Sequence, residues 1–516
     1  MPLSPSGKNT LALAAVSLAA LMFGLEISSV PVILPTLENQ LHGDLRDMQW
    51  VMNAYTIACT TVLMAAGTLA DRYGRRRVFV LSVIAFGVTS LICGVAQSMP
   101  VLIASRFAQG LAGGAMLTCQ MAILSHQFQA GRERGRAFAI FGIVFGAGLG
   151  FGPIIGGAIV ALSNWHWVFL VHVPLSALTW VLIALGAQES RDPHAHQLDR
   201  AGIVTLSLAV LGLTYYLTQA PEQGFASPVA LTALAIAVIG AIAFVIAEKR
   251  STHPMFDFAV FRIRDFSGSI MGSIGMNFSF WPFMIYLPIY YQSALGYDTV
   301  SAGLALLAYT LPTLLMPPLA ERLSARYSSG VVIPLGLFAI GAGFLAMRYG
   351  SAVEHASWLS MLPGALLAGA GLGLTNTPVT NTTTAAVPSS RAGMAAGIDM
   401  SARLITLAIN IALMGLILVA GIAAHLRGVF GARFDSAQLR QLAGRIAAGD
   451  VDALRAVSGG THEVAHAALI EGFGWVLWYG GLGVCALAAL SLAIFAPGRA
   501  RSAAGDADAQ TASCAQ

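Results

Sequence analysis

The sequence has 516 residues, of which 56% are hydrophobic and only 10% are charged, and its formal net charge is +4. Because a soluble chain carries about 25% charged residues, this composition excludes an ordinary water-soluble protein and indicates an integral membrane protein. The five scattered cysteines form no Cys-x-x-Cys pair or Cys/His cluster, so neither a disulfide framework nor a metal site is predicted, and the small net charge predicts no nucleic-acid partner.

Apolar runs predict fourteen membrane-spanning helices, each close to the ~20 residues that a bilayer core requires. In chain order they are residues 11–36, 49–70, 78–97, 100–124, 136–161, 167–187, 201–219, 228–247, 267–291, 300–320, 331–350, 358–380, 394–421 and 472–496. An even number of spans places both termini on the same side of the membrane.

The distribution of lysine and arginine predicts which side that is. Nineteen of them fall in segments that are cytoplasmic if the N-terminus is inside, whereas the short outer loops hold only Arg46 and Arg348. This bias predicts cytoplasmic N- and C-termini. Residues 422–471 form a predicted outer loop that is too long for this relation between positive charge and the cytoplasmic side to apply. Its stretch from Ser436 to Val457 has the period of an amphipathic helix and could lie across the outer mouth.

A short basic turn joins the second and third predicted spans, where residues 67–77 read GTLADRYGRRR. Gly67 and Gly74 permit tight turns and close helix packing, and Asp71 can pair with a helix end or with a neighbouring arginine. A generic basic cytoplasmic loop is the alternative. The stretch, with Arg72 and Arg75, resembles the loop between helices 2 and 3 of the major facilitator superfamily, Gly-x-Leu-Ala-Asp-Arg-x-Gly-Arg-(Arg/Lys). The resemblance implies a conformational latch on the cytoplasmic side.

Part of this turn is repeated later in the chain. The sequence LADR at 69–72 recurs as LAER at 319–322, 250 residues later and again at the end of a predicted span. Two related bundles would place the copies in this way, and Glu321 and Arg322 would then belong to the same latch. We therefore expect an all-α integral membrane protein with the major facilitator fold. The predicted parts are a six-helix bundle at 1–200, two additional helices at 201–250, a second six-helix bundle at 251–500 with its long outer loop at 422–471, and a disordered cytoplasmic tail at 501–516.

The first predicted span contains a carboxylate, Glu26. A charged carboxylate is costly inside hydrocarbon, so it must face a cavity, find a partner or take up a proton. A water-accessible Glu26 could exchange a proton, whereas a permanently paired one would be structural. Residues 25–35, LEISSVPVILP, resemble the first-helix motif Leu-Asp-x-Thr-Ile-Val-Asn-Val-Ala-Leu-Pro of fourteen-span drug:proton antiporters. The resemblance implies proton coupling at Glu26, with Pro31 in place of the motif's asparagine.

Arg106 is a second charge inside a predicted span, in residues 102–110, LIASRFAQG. Its guanidinium stays charged and can change the proton affinity of a nearby carboxyl as helices move. A fixed counter-ion between two helices is the alternative. The segment resembles the superfamily's helix 4 motif, Arg-x-x-Gln-Gly, which implies a role for Arg106 in proton transfer.

The fifth predicted span contains Gly148, Gly152 and Gly156, whose spacing of four leaves one helix face bare for close packing. Pro153 adds a bend. An ordinary small-residue helix contact would explain the spacing but not the proline. Together with Gly157, the order Gly-x-x-x-Gly-Pro-x-x-Gly-Gly resembles the motif of antiporters in this superfamily, which implies export rather than uptake.

Two pairs of polar residues are further candidates. His166 and His172, at the entry to the sixth predicted span, could sense pH from the outer side, but an interfacial anchor is the favoured interpretation. Asp399 and Arg403 stand four residues apart, a spacing that allows an ion pair. We interpret them as a structural or gating pair, with proton or cation binding as the alternative.

Aromatic residues crowd the ninth predicted span. Most aromatic side chains in a membrane helix face lipid or core, and those in this span point to different helix faces. The candidates for a substrate cavity are Asn277, Phe278, Trp281 and Tyr286. Such a lining would suit flat, apolar or cationic compounds.

These resemblances cover nearly the whole chain and imply a multidrug:proton antiporter of the bacterial inner membrane. We expect it to export toxic or drug-like hydrophobic or cationic compounds by alternating access, driven by the proton motive force and without a cofactor. Its partners would be the small-molecule substrate, protons and membrane lipid, and a periplasmic adaptor is not detectable from the sequence.

Three other functions are alternatives. A dedicated exporter of one metabolite, siderophore or self-made antibiotic would share every motif. An uptake symporter or facilitator is disfavoured by Gly152, Pro153 and Glu26. No Ser/His/Asp set, metal cluster or phosphate-binding loop in the sequence supports an enzyme, and a receptor would not need an acid inside the first span.

Overall fold

The computed structural model describes residues 5–128, 131–190, 199–251, 258–353, 356–387, 392–431, 434–450 and 462–495. This part of the chain consists of helices joined by short connections. The first half contains α1 (Pro5–Leu41), α2 (Leu45–Tyr73), α3 (Arg75–Gly94), α4 (Met99–Gln127), α5 (Gly131–Leu162), α6 (His166–Leu170), α7 (His172–Gly186), α8 (Arg200–Gln223) and α9 (Pro228–Arg250).

The second half begins with a 3-10 turn at Phe258–Arg262. It continues with α10 (Arg264–Phe278), α11 (Phe280–Ile289), a π-helical turn at Tyr290–Ala294, α12 (Thr299–Leu315), α13 (Pro317–Tyr327), α14 (Ser329–Ser351), α15 (Trp358–Ala385), α16 (Ala392–Phe430), α17 (Ser436–Ala448) and α18 (His462–Phe495).

Thirteen helical segments of the described chain are long and apolar enough to cross a membrane. Helix α2 is a further long helix, and its polar side chains at Gln49, Asn53 and Thr56 are buried. It therefore lies inside the protein rather than in water, and with it the chain has the fourteen predicted spans. The predicted all-α membrane fold is confirmed. The domain boundaries at 200 and 250 stay predictions, and the tail at 501–516 lies outside the described residues.

Several helices extend beyond the predicted spans. The first was predicted at 11–36 but runs from Pro5 to Leu41, and α16 continues to Phe430 instead of ending near 421. Helix α18 begins at His462, ten residues before the predicted start at 472. Hydropathy marks the part of a helix that lies in hydrocarbon, whereas the hydrogen-bonded helix continues into the interface.

The predicted ninth span is broken rather than continuous. Helix α10 ends at Phe278, and Ser279 leaves the helical conformation with φ −128° and ψ −54° before α11 begins. Pro282 explains the position of the break, since its ring clashes with the carbonyl of the residue four positions earlier, Phe278, and it has no N–H to donate. The break turns α11 relative to α10 and changes which aromatic side chains face the interior.

The two halves of the chain meet along α5 and α12, α1 and α11, and α2 and α16. Gln292 Nε2 donates to Val32 O over 3.0 Å in the C-terminal part of α1. Thr310 Oγ1 of α12 donates to Gly150 O of α5 over 2.8 Å. Both hydrogen bonds connect the first half of the chain to the second.

The long segment 422–471, predicted to be an outer loop, contains one further helix in its described part. Asp435 caps α17 by accepting hydrogen bonds from the backbone N–H groups of residues 437 and 438, and Gly449, with φ +115°, ends it. Leu439, Leu442 and Ile446 are buried on its inner face. Helix α17 packs against α16, α2 and α8. The predicted amphipathic helix is therefore present but ends earlier than predicted, and Val457 lies outside the described residues.

Candidate transport site

Glu26 and Arg106 form an ion pair between α1 and α4. Both side chains have 0% of their surface exposed, and Arg106 Nη1 donates to Glu26 Oε1. The second carboxylate oxygen, Oε2, accepts no hydrogen bond from the described part of the chain. The pair is therefore electrically balanced, but one oxygen of the acid is left without a hydrogen bond.

Helix α2 and a residue of α4 itself hold the guanidinium of Arg106. Its Nε donates to the carbonyl of Val51 over 3.0 Å, and Nη1 also donates to Gln109 Oε1 over 2.7 Å. The ring of Tyr55 lies 4.4 Å from Arg106 Cζ, close enough for a cation–π contact. Sequence analysis had not assigned a role to Tyr55 or to Gln109. Their contacts fix the orientation of the arginine beside the acid.

His172 lies beside the same carboxylate. Its Nδ1 is 3.5 Å from Glu26 Oε2, and the side chain is 1% exposed. The favoured interpretation of His172 as an interfacial anchor is therefore wrong, because the packing of α7 against α1 buries the ring. His166, the other candidate, lies at the start of α6 with Nδ1 2.8 Å from the carbonyl of Gly94 at the end of α3.

Both ring nitrogens of His172 face hydrogen-bond acceptors. Nδ1 is 3.1 Å from the carbonyl of Val168, and Nε2 is 3.3 Å from the carbonyl of Met22. A neutral imidazole donates through only one of its two nitrogens, so a neutral His172 can donate to one of these two carbonyls.

The glycine stripe of α5 packs against the helix that contains Glu26. Ser28 Oγ donates to Gly148 O over 3.0 Å, and a Cβ added at Gly152 would lie 1.8 Å from Ser28 Oγ. A Cβ at Gly156 would lie 2.9 Å from Ser29 Cβ. On another face, a Cβ at Gly157 would lie 2.9 Å from the carbonyl of Thr299 in α12. The predicted motif therefore sits where α1, α5 and α12 meet.

Pro153 lies inside α5 at the same junction. Its carbonyl oxygen is 2.8 Å from the position of a Cβ added at Gly303 of α12. Helix α12 thus approaches the α5 backbone closely at the proline.

The basic turn between α2 and α3 is held by Glu189, which sequence analysis did not identify. Gly74 has φ +116°, a conformation that favours glycine. The backbone N–H of Arg76 donates to Glu189 Oε1 over 3.1 Å, and Arg77 Nε lies 3.7 Å from Oε2. The backbone N–H of Arg75 donates to the carbonyl of Ser190 over 3.0 Å. The sequence signal that could have identified Glu189 is its position as an acid directly after the sixth predicted span.

The remaining predicted latch residues of this turn, Gly67, Asp71 and Arg72, all lie in the last two turns of α2. Arg72 lies at the end of α2, with its Cζ 5.6 Å from the ring of Tyr73. Gly67 and Asp71 belong to α2, but their surroundings lie outside the described part of the structure.

The repeated motif falls in α13, where Glu321 and Arg322 are exposed. The turn after α13 is at Ser328, with φ +71°, whereas the 250-residue offset between LADR and LAER makes Ser324 the equivalent of Gly74. The second turn is therefore displaced by about one helical turn.

Asp399 and Arg403 form a second charged cluster, within α16. Arg403 Nε donates to both carboxylate oxygens of Asp399, each over 3.1 Å. Ser273 Oγ donates to Asp399 from α10, and Arg403 also donates to Asn376 over 2.5 Å and to Thr380 over 3.0 Å on α15. The pair thus connects α16 to two neighbouring helices.

The four candidate cavity residues do not share one surface. Asn277 Nδ2 donates to the carbonyl of Ser273 in its own helix. The ring of Phe278 lies 4.8 Å from that of Tyr479 in α18, and Trp281 is partly buried against the main hydrophobic cluster. Of the four, Tyr286 has a hydrogen bond to the first half of the described chain, since Gln49 Nε2 donates to its hydroxyl over 3.0 Å.

A family model described as the Major Facilitator Superfamily matches residues 16–409. The chain belongs to the major facilitator superfamily. Among its relatives, the Multidrug resistance protein Stp of Mycobacterium tuberculosis (strain CDC 1551 / Oshkosh) is 32% identical over 416 residues, covering 81% of this chain and 77% of the relative. The Tetracenomycin C resistance and export protein of Streptomyces glaucescens is 30% identical over 501 residues, covering 94% and 90%.

Solved structures share the fold of this major facilitator protein. A bacterial homologue of the human lysosomal transporter Spinster, in an inward-facing and unoccupied conformation, has a TM-score of 0.62 at 15% identity and covers 95% of this chain and 98% of its own. Family and fold together make the chain a multi-pass membrane transporter and not an enzyme, and its relatives support efflux of small molecules.

Proposed function

We propose that this transporter exports toxic or drug-like hydrophobic or cationic compounds across the bacterial inner membrane in exchange for protons. The observation that supports this proposal is the position of the Glu26 carboxyl, which is buried between the permanent cation Arg106 and the imidazole of His172. The names of the relatives, a multidrug resistance protein and a resistance and export protein, support export as its direction.

The proposed cycle alternates access to the two sides of the membrane. A compound enters from the cytoplasm or the inner leaflet while the outer half is closed. The α5–α12 contact then opens, and protons from outside reach Glu26 and displace the compound. Since Glu26 has no exposed surface in the conformation described, this step requires a second conformation in which the acid meets water. Arg106 draws the acid back to its charged form when the site returns.

The basic turn would hold the cytoplasmic ends together when that side closes. In this proposal the segment containing Asp71, Arg72 and Gly74 and the segment containing Glu321 and Arg322 belong to the same latch. The anchoring of the α3 start by Glu189 would let the turn move with the first bundle as one unit. Both chain termini would lie in the cytoplasm.

The energy available from protons is sufficient for export. A charge crossing a potential of 100 mV releases about 2.3 kcal/mol, and each pH unit contributes about 1.4 kcal/mol. Since 1.4 kcal/mol corresponds to a tenfold ratio, one proton can maintain gradients of roughly tenfold to several hundredfold.

A dedicated exporter of a single compound is the second candidate. The observation that favours it is the relative named after one antibiotic, the Tetracenomycin C resistance and export protein. Such a protein would use the same proton site and differ only in the breadth of its substrate cavity.

A toxicity panel in an efflux-deficient bacterial host tests the proposal. Expression of the wild-type chain should raise the inhibitory concentrations of several chemically unrelated hydrophobic or cationic drugs. A protonophore should abolish the export of those drugs from the cell. Protection against one compound alone would favour the dedicated exporter. Export that persists with the protonophore would contradict proton coupling.

Glu26→Gln should lose this protection completely. Because removing one charge of a buried pair can cost about 3–5 kcal/mol of folding free energy, membrane abundance and size-exclusion profile must be compared with wild type. Glu471→Gln, at an acid whose side chain is 43% exposed, is the matched control and should protect normally. Undiminished export by Glu26→Gln would remove this residue from the mechanism.

A further inference from the structure

A cleft of about 440 Å³ lies at the outer end of the protein, away from Glu26. Its walls are the start of α2, the end of α8 and the outer half of α16, and α17 of the long outer loop covers it. Pockets for small molecules typically measure about 300–1,000 Å³, so the cleft is large enough for one ligand. The transport cycle proposed above does not use it.

The lining of the cleft is divided into an apolar and a basic part. The apolar part consists of Leu45, Leu217, Ala412, Leu416 and Val419. The charged part contains three arginines and one aspartate, namely Arg46, Arg440, Arg445 and Asp44. A ligand that fits both parts has an apolar body and a negatively charged head.

Two of the arginines already have acidic partners. Arg46 Nη2 lies 2.6 Å from Asp44 Oδ2, and Arg445 Nη2 lies 2.5 Å from Asp450 Oδ2. Arg440 is exposed on α17 and has no ion pair or hydrogen bond with the described part of the chain. Its guanidinium is therefore available to a ligand that enters the cleft.

A polar contact separates the cleft from the centre of the molecule. Gln49 and Gly415 both line the cleft. Gln49 Nε2 donates to the hydroxyl of Tyr286, which donates in turn to the carbonyl of Ile411. A Cβ added at Gly415 would lie 1.5 Å from Gln49 Nε2, so the glutamine side chain passes directly over the glycine and closes the inner end.

We infer that this cleft is an outer binding site for amphipathic anions, with the acidic head at Arg440 and the apolar body along α8 and α16. A phosphate, sulfonate or carboxylate head has the planar or branched oxygens that a guanidinium binds best. The apolar wall requires an attached hydrocarbon body, so inorganic phosphate alone is a poor ligand. A membrane phospholipid and a free amphiphile share this chemistry.

Protection of a cysteine from labelling tests the site without measuring transport. Gln441→Cys places a thiol in the lining, in a chain whose Cys485 and Cys514 are replaced by serine and which is held in phosphatidylcholine nanodiscs. Dodecyl phosphate should slow reaction of this thiol with a water-soluble maleimide at least fivefold. Dodecyltrimethylammonium and inorganic phosphate should not. Equal protection by the cation, or none by dodecyl phosphate, would overturn the proposal.

Arg440→Gln should abolish the protection by dodecyl phosphate, whereas Arg427→Gln, at an exposed arginine of α16 outside the lining, should retain it. Protection that survives Arg440→Gln would also overturn the site.

Nanodiscs that contain phosphatidylglycerol distinguish the two sources of ligand. Slower labelling before any addition supports a membrane lipid, and slower labelling only after dodecyl phosphate supports a free amphiphile. These labelling results do not depend on proton coupling. A failure of the outer site is therefore distinguishable from a failure of the proposed proton exchange.

Discussion

At the scale of single residues, the site depends on the distances among Glu26, Arg106 and His172. Sequence could predict that Glu26 and Arg106 lie within spans, because a charge inside an apolar run is conspicuous. It could not place His172 beside them, since position 172 falls near the start of a predicted span. Only the packing of α7 on α1 brings its ring next to Met22 and Glu26.

His172→Asn should change how substrate binding depends on pH. His172 Nδ1 lies 3.5 Å from Glu26 Oε2, and an asparagine cannot carry the charge that an imidazole can carry. The pH profile of drug binding should therefore differ between His172→Asn and the wild-type protein. Intrinsic tryptophan fluorescence of the purified protein would measure binding at each pH.

His166→Asn is the matched control for this change. His166 contacts the carbonyl of Gly94 rather than the acid, so its replacement should leave the pH profile unchanged. A profile that is identical for wild type and His172→Asn would show that the ring has no electrostatic role at Glu26.

At the scale of helices, the glycine stripe of α5 shows what spacing can and cannot predict. The recurrence of Gly148, Gly152 and Gly156 predicted a bare face, but spacing alone does not identify the helix that covers it. That helix is α1, whose Ser28 donates to Gly148 O. Similarly, hydropathy predicted one continuous ninth span, because it does not register the backbone clash that Pro282 causes at Phe278.

Gly152→Ala should destabilise the protein by about 1–3 kcal/mol, the usual cost of overpacking a close contact. The added methyl would lie 1.8 Å from Ser28 Oγ, so α1 and α5 would have to separate. Thermal unfolding monitored by circular dichroism in detergent should show a lower midpoint for Gly152→Ala.

Gly142→Ala provides a control on the same helix, since a Cβ at Gly142 meets nothing within 4 Å. It should unfold at the wild-type temperature. The double variant Gly152→Ala/Ser28→Gly should recover much of the lost stability. Equal destabilisation by both single alanine variants would disprove the specific contact with Ser28.

Glu189→Ala should loosen the turn between α2 and α3. The carboxylate accepts a hydrogen bond from the backbone N–H of Arg76 over 3.1 Å, and hydrogen bonds to charged groups contribute about 1.5–3 kcal/mol. Amide hydrogen exchange in residues 74–78 should therefore accelerate roughly tenfold or more, and drug turnover should slow more than drug binding weakens. Glu133→Ala, at an exposed acid in the first turn of α5, should change neither the amide exchange of residues 74–78 nor drug turnover.

At the scale of the whole molecule, hydropathy was sufficient to predict the membrane fold, because the bilayer limits which structures can span it. The family was predicted from motif resemblances such as the one at residues 67–77. The contacts between the two halves were not predictable. They depend on pairs such as Gln49 and Tyr286, which lie 237 residues apart in the sequence, and no local pattern connects such residues. Because Glu26 has no exposed surface in the conformation described, the proposed proton exchange requires a second arrangement of the same helices.

Proton release on drug binding tests the central claim most directly. In a weakly buffered solution of the purified wild-type protein, addition of an exported drug should release protons in proportion to the drug bound, because binding favours the charged form of Glu26. Glu26→Gln should bind the drug and release none, while Glu471→Gln should release as much as wild type. Undiminished release from Glu26→Gln, or no release from wild type at saturating drug, would contradict proton exchange at this acid.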